Sequence, residues 1–300
     1  MITVQELNQE FGNSEIRFYT DSHDMACAEL NNPMGKAELA LHGAHLMSFI
    51  PKGQKAVLWM SEKSYFEDGK PIRGGIPICW PWFGGHPCDS DMPSHGFARI
   101  SIWEPVASGK CEDGATFLEL ALTPALIADE FKTNAFLVKM RIEVSDKLSA
   151  ALIIENTGDK DLSYSAALHS YFNISDILNI SVSGLDGRAY IDTLDDTNHV
   201  QHGDITFDTE TDLVYLNTED ACIIDDPGFK RKIKVSKVGS RSAVVWNPWD
   251  AKAQRMPDFG DEEYHKMVCV ETTNAENDAR ILAPNECHTL QVIIESELQG

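Results

Sequence analysis

The feature that most constrains this chain is a period-two alternation of apolar and polar residues in many short segments. In the clearest segment, residues 137–144 (LVKMRIEV), an apolar side chain occupies every second position from Val138. One face of such a strand is buried and the other meets solvent. Similar runs, separated by Gly, Asn, Asp and Pro clusters, occur at 46–50, 116–122, 150–155, 221–224, 233–235, 243–246, 267–270 and 290–294. The pattern predicts an all-β protein, a large antiparallel β-sandwich.

Helical signals are few and short. Val4, Leu7 and Phe11 follow helical spacing, which stops at Gly12 and predicts an N-terminal helix. A further turn is predicted at 261–266. Strands and helices do not alternate along the chain, which argues against a parallel sheet. Gly and Pro are spread rather than concentrated, and no internal repeat or linker occurs. We therefore expect one domain over residues 1–300, although the length of 300 residues also allows two.

Charge narrows the classes of partner. The chain has 25 Lys and Arg residues against 47 Asp and Glu residues, a formal net charge of −22. Such a field repels polyanions, so we expect no nucleic-acid partner. A small anionic molecule is still compatible, because a few arginines inside a cleft reverse the sign locally.

Cysteine usage and apolar runs indicate the compartment. The seven cysteines are scattered and form no C-x-x-C pair, which is typical of reduced thiols. The first residues lack the basic segment and apolar core of a signal peptide, and no stretch of about 18 apolar residues occurs. We expect a soluble, cytoplasmic protein without a membrane partner.

Residues 70–95 form the least strand-like stretch. They include four glycines, five prolines and three large aromatic residues, and a loop this long is usually functional. Arg73 and Arg99 border its aromatic part, and neither has an acidic residue beside it in sequence. Guanidinium groups bind carboxylate or phosphate through paired hydrogen bonds, so these arginines suit anion capture. The alternative is pairing with the many carboxylates of this acidic chain.

His169 is a candidate for proton transfer. In SYSAALHSYF (163–172), alternation places it on one face with serine, alanine and Tyr171. Small neighbours leave space above the sheet for a ligand, and histidine exchanges a proton near neutral pH. The alternative is a core histidine that bonds a backbone carbonyl.

Glu271 is the second candidate. It follows the apolar run 267–270 and shares a face with Met267 and Cys269 by alternation. Partial burial would raise its pKa toward the range that is useful to a general base. The alternative is a glutamate at a strand end or sheet edge that reaches water.

Metal and nucleotide signals are weak. His42 and His45 would point to opposite faces of a strand, and His86, Asp89, Asp91 and His95 have no recognised ligand spacing. The two glycine-rich phosphate-binding motifs and the G-x-S-x-G elbow of serine hydrolases are absent from the sequence. We expect no metal and no cofactor.

Six segments in order resemble the hexose-6-phosphate mutarotases of the aldose 1-epimerase superfamily. They are IRGGIPICWPWFG (72–84), SHGFAR (94–99), ALHSYF (167–172), TDLVY (211–215), VVWNPW (244–249) and DFGDEEYHKMVCVE (258–271). The resemblance implies a galactose mutarotase-like supersandwich that interconverts the α and β anomers of hexose 6-phosphates. Two departures from the family pattern are mild. The tail reads LAPNE instead of a Pro-Gly-Glu turn, and the segment ETTNA (271–275) begins at the glutamate.

The resemblance also implies roles for named residues. Glu271 is similar to the general base that takes the proton of the anomeric hydroxyl, and His169 to the acid that protonates the ring oxygen. Asp212 resembles the family's acceptor for sugar hydroxyls. Phosphate and sugar contacts are implied for Arg73, His95 and Arg99, and an apolar wall for Trp246. We expect a small-molecule substrate and a monomer.

Two other functions compete with this interpretation. A catalytically silent sugar-phosphate-binding or regulatory protein could share the fold, because fold does not guarantee activity. A glycoside hydrolase would need two carboxylates around the scissile bond, and Asp212 is the only candidate partner for Glu271. The presence of both His169 and Glu271 favours the mutarotase.

Overall fold

The structure is a computed structural model that describes residues 2–132 and 134–299. The helices are α1 (Val4–Glu10) and α2 (Trp249–Ala253), and short 3₁₀ helices span Ala98–Ile100, Asp129–Phe131, Ile177–Asn179, Glu263–Lys266 and Glu276–Asp278. The first strands are β1 (Ile16–Thr20), β2 (Ala26–Asn31), β3 (Gly35–Ala40), β4 (His45–Pro51), β5 (Ile78–Cys79), β6 (Glu104–Lys110), β7 (Thr116–Leu122), β8 (Phe136–Val144), β9 (Lys147–Asn156), β10 (Leu162–Tyr164) and β11 (Ala166–Leu168). They are followed by β12 (Tyr171–Asn173), β13 (Ser181–Ser183), β14 (Ala189–Asp192), β15 (Thr197–Val200), β16 (Thr211–Tyr215), β17 (Cys222–Asp226), β18 (Arg231–Val238), β19 (Ser242–Asn247), β20 (Met267–Asn274), β21 (Arg280–Leu282) and β22 (Cys287–Leu298).

Two eight-stranded antiparallel sheets dominate the architecture. One has the order β15-β14-β16-β19-β20-β11-β5, with β12 also paired to β20, and we call it the site sheet. The other has the order β13-β17-β18-β22-β9-β8-β7-β6. Smaller sheets are β1-β2-β3-β4 and β10-β21. Residues of both large sheets join one hydrophobic cluster, so the two sheets share a core as in a sandwich. The organisation of residues 1–300 as one domain stays a prediction, which this shared core supports.

The strand alternation is confirmed where the sequence shows it best. In β8, every second residue from Phe136 to Val144 is buried and the residues between them are partly exposed. Strands β19 and β20 differ, because all their residues are buried. A strand that is covered on both faces reads as a nearly continuous apolar run. A polar side chain in the middle of such a strand is therefore held away from bulk water.

Of the two α-helices, α1 agrees with the prediction from the sequence and α2 was not predicted. The predicted N-terminal helix is α1, whose Thr3 and Glu6 form a reciprocal capping box and whose Leu7 is buried. The predicted turn at 261–266 contains the 3₁₀ helix Glu263–Lys266. The sequence analysis missed α2, which begins at Trp249 with a positive φ of 55°. Its five residues are too few to show an apolar period.

The Gly- and Pro-rich loop is largely without strands, as the sequence predicts. Its exception is β5, two residues that pair with β11 of the site sheet. Farther along, His95 donates its backbone N–H to the Gly84 carbonyl at 2.6 Å, and the Gly84 N–H donates to Nδ1 of His95 at 3.2 Å. This reciprocal pair of bonds closes the loop and sets the orientation of the His95 ring.

None of the seven cysteines forms a disulfide. Over residues 2–132 and 134–299, no helix has the length and apolar character that crossing a membrane requires.

Candidate active site

Strand register gathers the predicted site residues onto the site sheet. Asp212 on β16 lies opposite Trp246 on β19, Trp246 lies opposite Cys269 on β20, and Cys269 lies opposite Tyr171 on β12. Glu271 follows Cys269 by two residues, so both side chains leave β20 on the same face. The sheet thus collects onto one row residues that are far apart in sequence.

His169 owes its position to a break in the strand. The sequence predicts a continuous alternation over 163–172, whereas the structure divides it into β10, β11 and β12. β11 and β12 both pair with β20, and His169 lies in the gap between them. His169 and Tyr171 still lie on one face, as the sequence predicts, and their rings stack at a centroid distance of 4.7 Å and an angle of 7°. A large aromatic ring, not only small side chains, therefore borders the histidine.

His169 and Glu271 form a buried pair. Nε2 of His169 lies 3.4 Å from Oε1 of Glu271, and the side chains are 10% and 1% exposed. Glu271 is in the interior of β20, so the alternative of a strand-end glutamate in water is wrong. Nδ1 of His169 and Oε2 of Glu271 are buried without a hydrogen-bond partner in the described chain. Nδ1 of His169 thus has no carbonyl partner in the described chain, which argues against the alternative of a core histidine bonded to the backbone.

Electrostatics push the two pKa values in opposite directions. Burial, and then the Asp212 carboxylate, raise the pKa of Glu271 well above its usual range. Burial, and then the charges of His95, Arg73 and Arg99, lower the pKa of His169 well below its usual range. With its own groups alone, the protein therefore favours a neutral carboxylic acid facing a neutral imidazole. Pairs of titratable groups with diverging pKa values are typical of acid and base partners in catalysis.

The two predicted arginines differ in their surroundings. Arg73 donates from Nε to Asp258 at 3.1 Å and from Nη1 to the Tyr171 hydroxyl at 2.9 Å. The pairing alternative thus holds for Arg73. Arg99 donates from Nη2 to the Ser94 carbonyl at 2.6 Å, while its buried Nε has no partner in the described chain. No carboxylate of the described residues lies within 4.0 Å of the Arg99 guanidinium. Its charge is therefore not compensated by an ion pair.

His95 and Trp246 are edge-to-face neighbours of the His169 ring. The His95 and His169 rings are 5.9 Å apart, and the Trp246 and His169 rings are 6.0 Å apart, both edge to face. Burial, and then Arg99 and Arg73, lower the pKa of His95 to about 3. Because Nδ1 of this neutral ring accepts the Gly84 N–H, its proton lies on Nε2, which is then the donor.

Asp212 has a cationic neighbour that the sequence analysis did not identify. Nζ of Lys252 lies 3.8 Å from Oδ2 of Asp212 and 3.0 Å from Oε1 of Glu210. Burial raises the pKa of Asp212, and the charge of Lys252 opposes that rise. Asp212 is positioned to accept hydrogen bonds beside the Trp246 ring.

Residues 26–295 match the aldose 1-epimerase family. The chain belongs to this family. It is 36% identical over 266 residues to an Escherichia coli protein named "Putative glucose-6-phosphate 1-epimerase". These residues are 88% of each of the two chains. A protein of the same name from Cenchrus ciliaris is 36% identical over 250 residues, 80% of this chain and 75% of that one.

Solved structures confirm the fold of this aldose 1-epimerase family member. The crystal structure of a "putative mutarotase" from Salmonella typhimurium superposes with a TM-score of 0.88 at 33% identity, over 96% of this chain and 95% of that one. A galactose mutarotase-like protein from Clostridium acetobutylicum has a TM-score of 0.71 at 15% identity, over 95% and 98% of the two chains. The prediction of an all-β, galactose mutarotase-like sandwich and of an isomerase of the epimerase type is confirmed.

Three donor atoms in this epimerase could also hold a metal ion. The ligand atoms of His169, Cys269 and Glu271 lie within 4.8 Å of one another. Burial, and then the Glu271 carboxylate, raise the pKa of the Cys269 thiol well above its usual range, so a metal would have to displace a firmly held proton. The nearby guanidinium groups of Arg73 and Arg99 further oppose a divalent cation. These donors fit proton transfer better than metal binding.

The histidines near the loop are structural. Nε2 of His42 bonds to the Lys70 carbonyl at 2.8 Å, and Nε2 of His45 bonds to the Gly74 carbonyl at 2.9 Å. Both rings thus fix the first residues of the loop to β4 and the segment before it.

Sequence reasoning missed three residues of the site. Tyr171 shares the His169 face and was available from the alternation, since aromatic rings often order a catalytic ring. Asp258 lies 185 residues from Arg73, so no local pattern connects them. Lys252 is on the unpredicted helix α2.

Proposed function

We propose that this chain is a hexose-6-phosphate mutarotase, a glucose-6-phosphate 1-epimerase that interconverts the α and β anomers of its substrate. The observation that carries the proposal is the buried His169 and Glu271 pair near the guanidinium of Arg99, which has no ion-pair partner among residues 2–132 and 134–299. Ring opening needs one acid and one base around one small molecule, and a phosphate needs a cation. The family and the names of the relatives support the same reaction.

The reaction follows from the pair. Glu271, as the carboxylate, takes the proton of the anomeric hydroxyl while the bond between C1 and the ring oxygen breaks. Protonated His169 delivers its proton to that oxygen, and an open-chain aldehyde results. Rotation about the C1 to C2 bond presents the other carbonyl face, and the two transfers then run backward. No atom is consumed, and the pair returns to its starting protonation.

The cationic groups support recognition of the phosphate. Arg99 supplies a charge that no carboxylate of the described residues contacts, and Arg73 adds a guanidinium that Asp258 and Tyr171 hold in place. Charge-assisted hydrogen bonds to phosphate are short and strong. A chain of net charge −22 can select an anionic sugar only through such a local reversal of sign.

The remaining predicted residues support the sugar ring. Asp212 accepts from sugar hydroxyls, Nε2 of His95 donates to an oxygen, and Trp246 provides an apolar wall. Trp246 is 7% exposed, so only part of its ring is available.

Exchange NMR on the purified protein tests this proposal. Saturation transfer between the anomers of glucose 6-phosphate should accelerate with protein concentration, more than for unphosphorylated glucose. The same measurement with galactose 6-phosphate shows whether a second hexose 6-phosphate is a substrate. Binding without exchange would indicate the silent sugar-phosphate-binding protein, and cleavage of a glycoside without anomer exchange would indicate the hydrolase.

The other parts of the proposal concern the setting of the enzyme. We propose that it acts as a monomer in the cytoplasm on a small-molecule substrate, without nucleic acid or membrane partners. The unpaired thiols and the net charge support this setting.

A further inference from the structure

The charges around the catalytic pair are unevenly balanced. Arg73 has the Asp258 carboxylate at 3.0 Å, and Lys252 has Glu210 at 3.0 Å. Arg99 has no such partner in the described chain, and its Nε is buried and unbonded. Asp258 acts on this guanidinium only from beyond ion-pair distance, so the charge of Arg99 is less completely compensated than that of Arg73.

The effect of these cations reaches His169 through packed groups. The Tyr171 ring stacks on the imidazole, and its hydroxyl accepts a hydrogen bond from Arg73. Charged or titratable groups face His169 from each element around it: Glu271, Cys269, Tyr171, His95, Arg73 and Arg99. The cations among them disfavour an imidazolium, and the Glu271 carboxylate favours one at 3.4 Å.

The position of one proton matters for the reaction. Ring opening as proposed starts from a carboxylate at Glu271 and an imidazolium at His169, and it ends with a carboxylic acid and a neutral imidazole. Burial, and then the protein's own charges, favour the second state. General acid and base catalysis requires an ionised base and a protonated acid when the closed ring is bound. Something must therefore favour the first state when the closed ring is bound.

Resting on the proposed function, we infer that the substrate's phosphate does this: its negative charge on Arg99 and Arg73 moves one proton from Glu271 to His169. The O–H bond at Glu271 breaks and an N–H bond forms at Nε2 of His169, with no net proton uptake. The phosphate is then an activator of the catalytic pair as well as a binding handle. Each unit by which it changes the difference between the two pKa values changes the ratio of the two states about tenfold.

Nitrogen NMR of the full chain measures the proton directly. The protein is labelled with ¹⁵N-histidine, and the His169 signals are assigned by their loss in His169→Asn. With inorganic phosphate or glucose 6-phosphate at saturation, the two ring nitrogens should change from the separated shifts of a neutral ring toward the similar shifts of an imidazolium. Arg99→Ala should abolish the change, and Arg99→Lys, which keeps the charge, should retain part of it.

The matched control is Arg241→Gln, an exposed arginine whose side chain lies 3.9 Å from Glu219 and outside the site. It should behave as the wild type. An imidazole of His169 that stays neutral in the saturated complex would overturn the inference. So would an imidazolium that is already present before any anion is added, or a failure of phosphate to bind.

Kinetics supply a second readout. Inorganic phosphite should increase kcat/KM for anomer exchange of unphosphorylated glucose by about tenfold or more, because it supplies the charge in a separate molecule. Arg99→Ala should remove this activation. Competition without any activation would contradict the inference.

The outcomes separate the inference from the function on which it rests. If glucose 6-phosphate anomers exchange normally but His169 stays neutral and phosphite does not activate, the inference fails and the mutarotase stands. If glucose 6-phosphate anomers do not exchange at all, the proposed function fails as well.

Discussion

Two buried pairs, each of one basic and one acidic side chain, lie in this molecule. They differ in how completely their atoms are hydrogen-bonded. Arg231 and Asp226, at 1% and 0% exposed, join the second sheet to the loop before β13. Their other partners are the carbonyls of Lys55, Ala56 and Asn173, the Ser175 N–H and hydroxyl, and the Phe229 N–H. In this pair only Nε of Arg231 is buried without a hydrogen-bond partner in the described chain, whereas His169 and Glu271 each have one such atom.

The difference indicates different roles. A buried charge that is well hydrogen-bonded holds distant segments in one arrangement, and removing one partner leaves the other uncompensated. A buried polar atom without a partner costs stability, and such atoms also occur at His42, His45 and Arg231, so one alone does not indicate reactivity. The His169 and Glu271 pair differs in that both partners of a 3.4 Å acid and base contact carry such an atom. We therefore propose that the Arg231 and Asp226 pair stabilises the fold and that the His169 and Glu271 pair transfers protons.

The largest expected effect is on catalysis. Glu271→Gln keeps the shape of the side chain and removes the base, so anomer exchange should fall about 100- to 10,000-fold. The melting temperature should change little, because no hydrogen bond to Oε2 is lost. His169→Asn should cause a comparable loss, and the double variant should lose less than the sum, since the two residues act as one unit.

Exchange NMR and thermal unfolding on the same samples measure both quantities. Exchange near the wild-type rate in Glu271→Gln would remove this residue from the mechanism.

Asp226→Ala should have the opposite profile. It leaves the Arg231 guanidinium buried without its carboxylate, which should lower the free energy of unfolding by about 3 to 5 kcal/mol. Exchange per folded molecule should be unchanged. The neighbouring Asp225→Ala is the matched control, because its ion pair with Lys232 at 3.4 Å is solvent-exposed and should matter by less than about 1 kcal/mol.

Urea unfolding and exchange NMR together provide this test. Equal stability of the Asp226 and Asp225 variants would contradict the assignment of Asp226 to stability.

The variants of Arg99 and Arg73 should differ in which sugar loses kcat/KM. Loss of one charge-assisted contact of about 1.5 to 3 kcal/mol in Arg99→Ala should reduce kcat/KM for a hexose 6-phosphate roughly 10- to 150-fold. Unphosphorylated glucose should be affected far less. Arg73→Ala should also lower the phosphorylated rate, and it should lower the rate for glucose, because Arg73 bonds Tyr171, which orders His169.

The ratio of kcat/KM for the two sugars decides this prediction. An equal reduction for both sugars in Arg99→Ala would assign that arginine to structure or to the ring, and the function would be that of a general aldose mutarotase.

The smallest expected effect is that of metal removal. The three candidate metal donors, His169, Cys269 and Glu271, lie near guanidinium groups, and the pKa of the Cys269 thiol is raised. EDTA should therefore leave the exchange rate unchanged. Loss of activity that one divalent ion restores would show that the pair acts on a metal instead of directly on the substrate.

Much of the fold was predictable from local pattern. The alternation in β8 and the spacing of Val4 and Leu7 in α1 are properties of neighbouring residues, and the structure confirms both. Helix α2 could not be predicted in this way, because it is five residues long and begins at a residue of positive φ. Short elements form where the surrounding structure requires them.

The candidate site divides in the same way. The sequence by itself determined the all-β class, the antiparallel strands and the candidates His169 and Glu271, since side-chain period and chemical type are written along the chain. Only the tertiary structure decided that Arg73 is paired with Asp258 while Arg99 contacts no carboxylate within the part of the chain that the structure describes, and that Lys252 lies beside Asp212. The physical reason is that compensation of a charge depends on distance in space, and strand register brings together groups that sequence spacing does not relate.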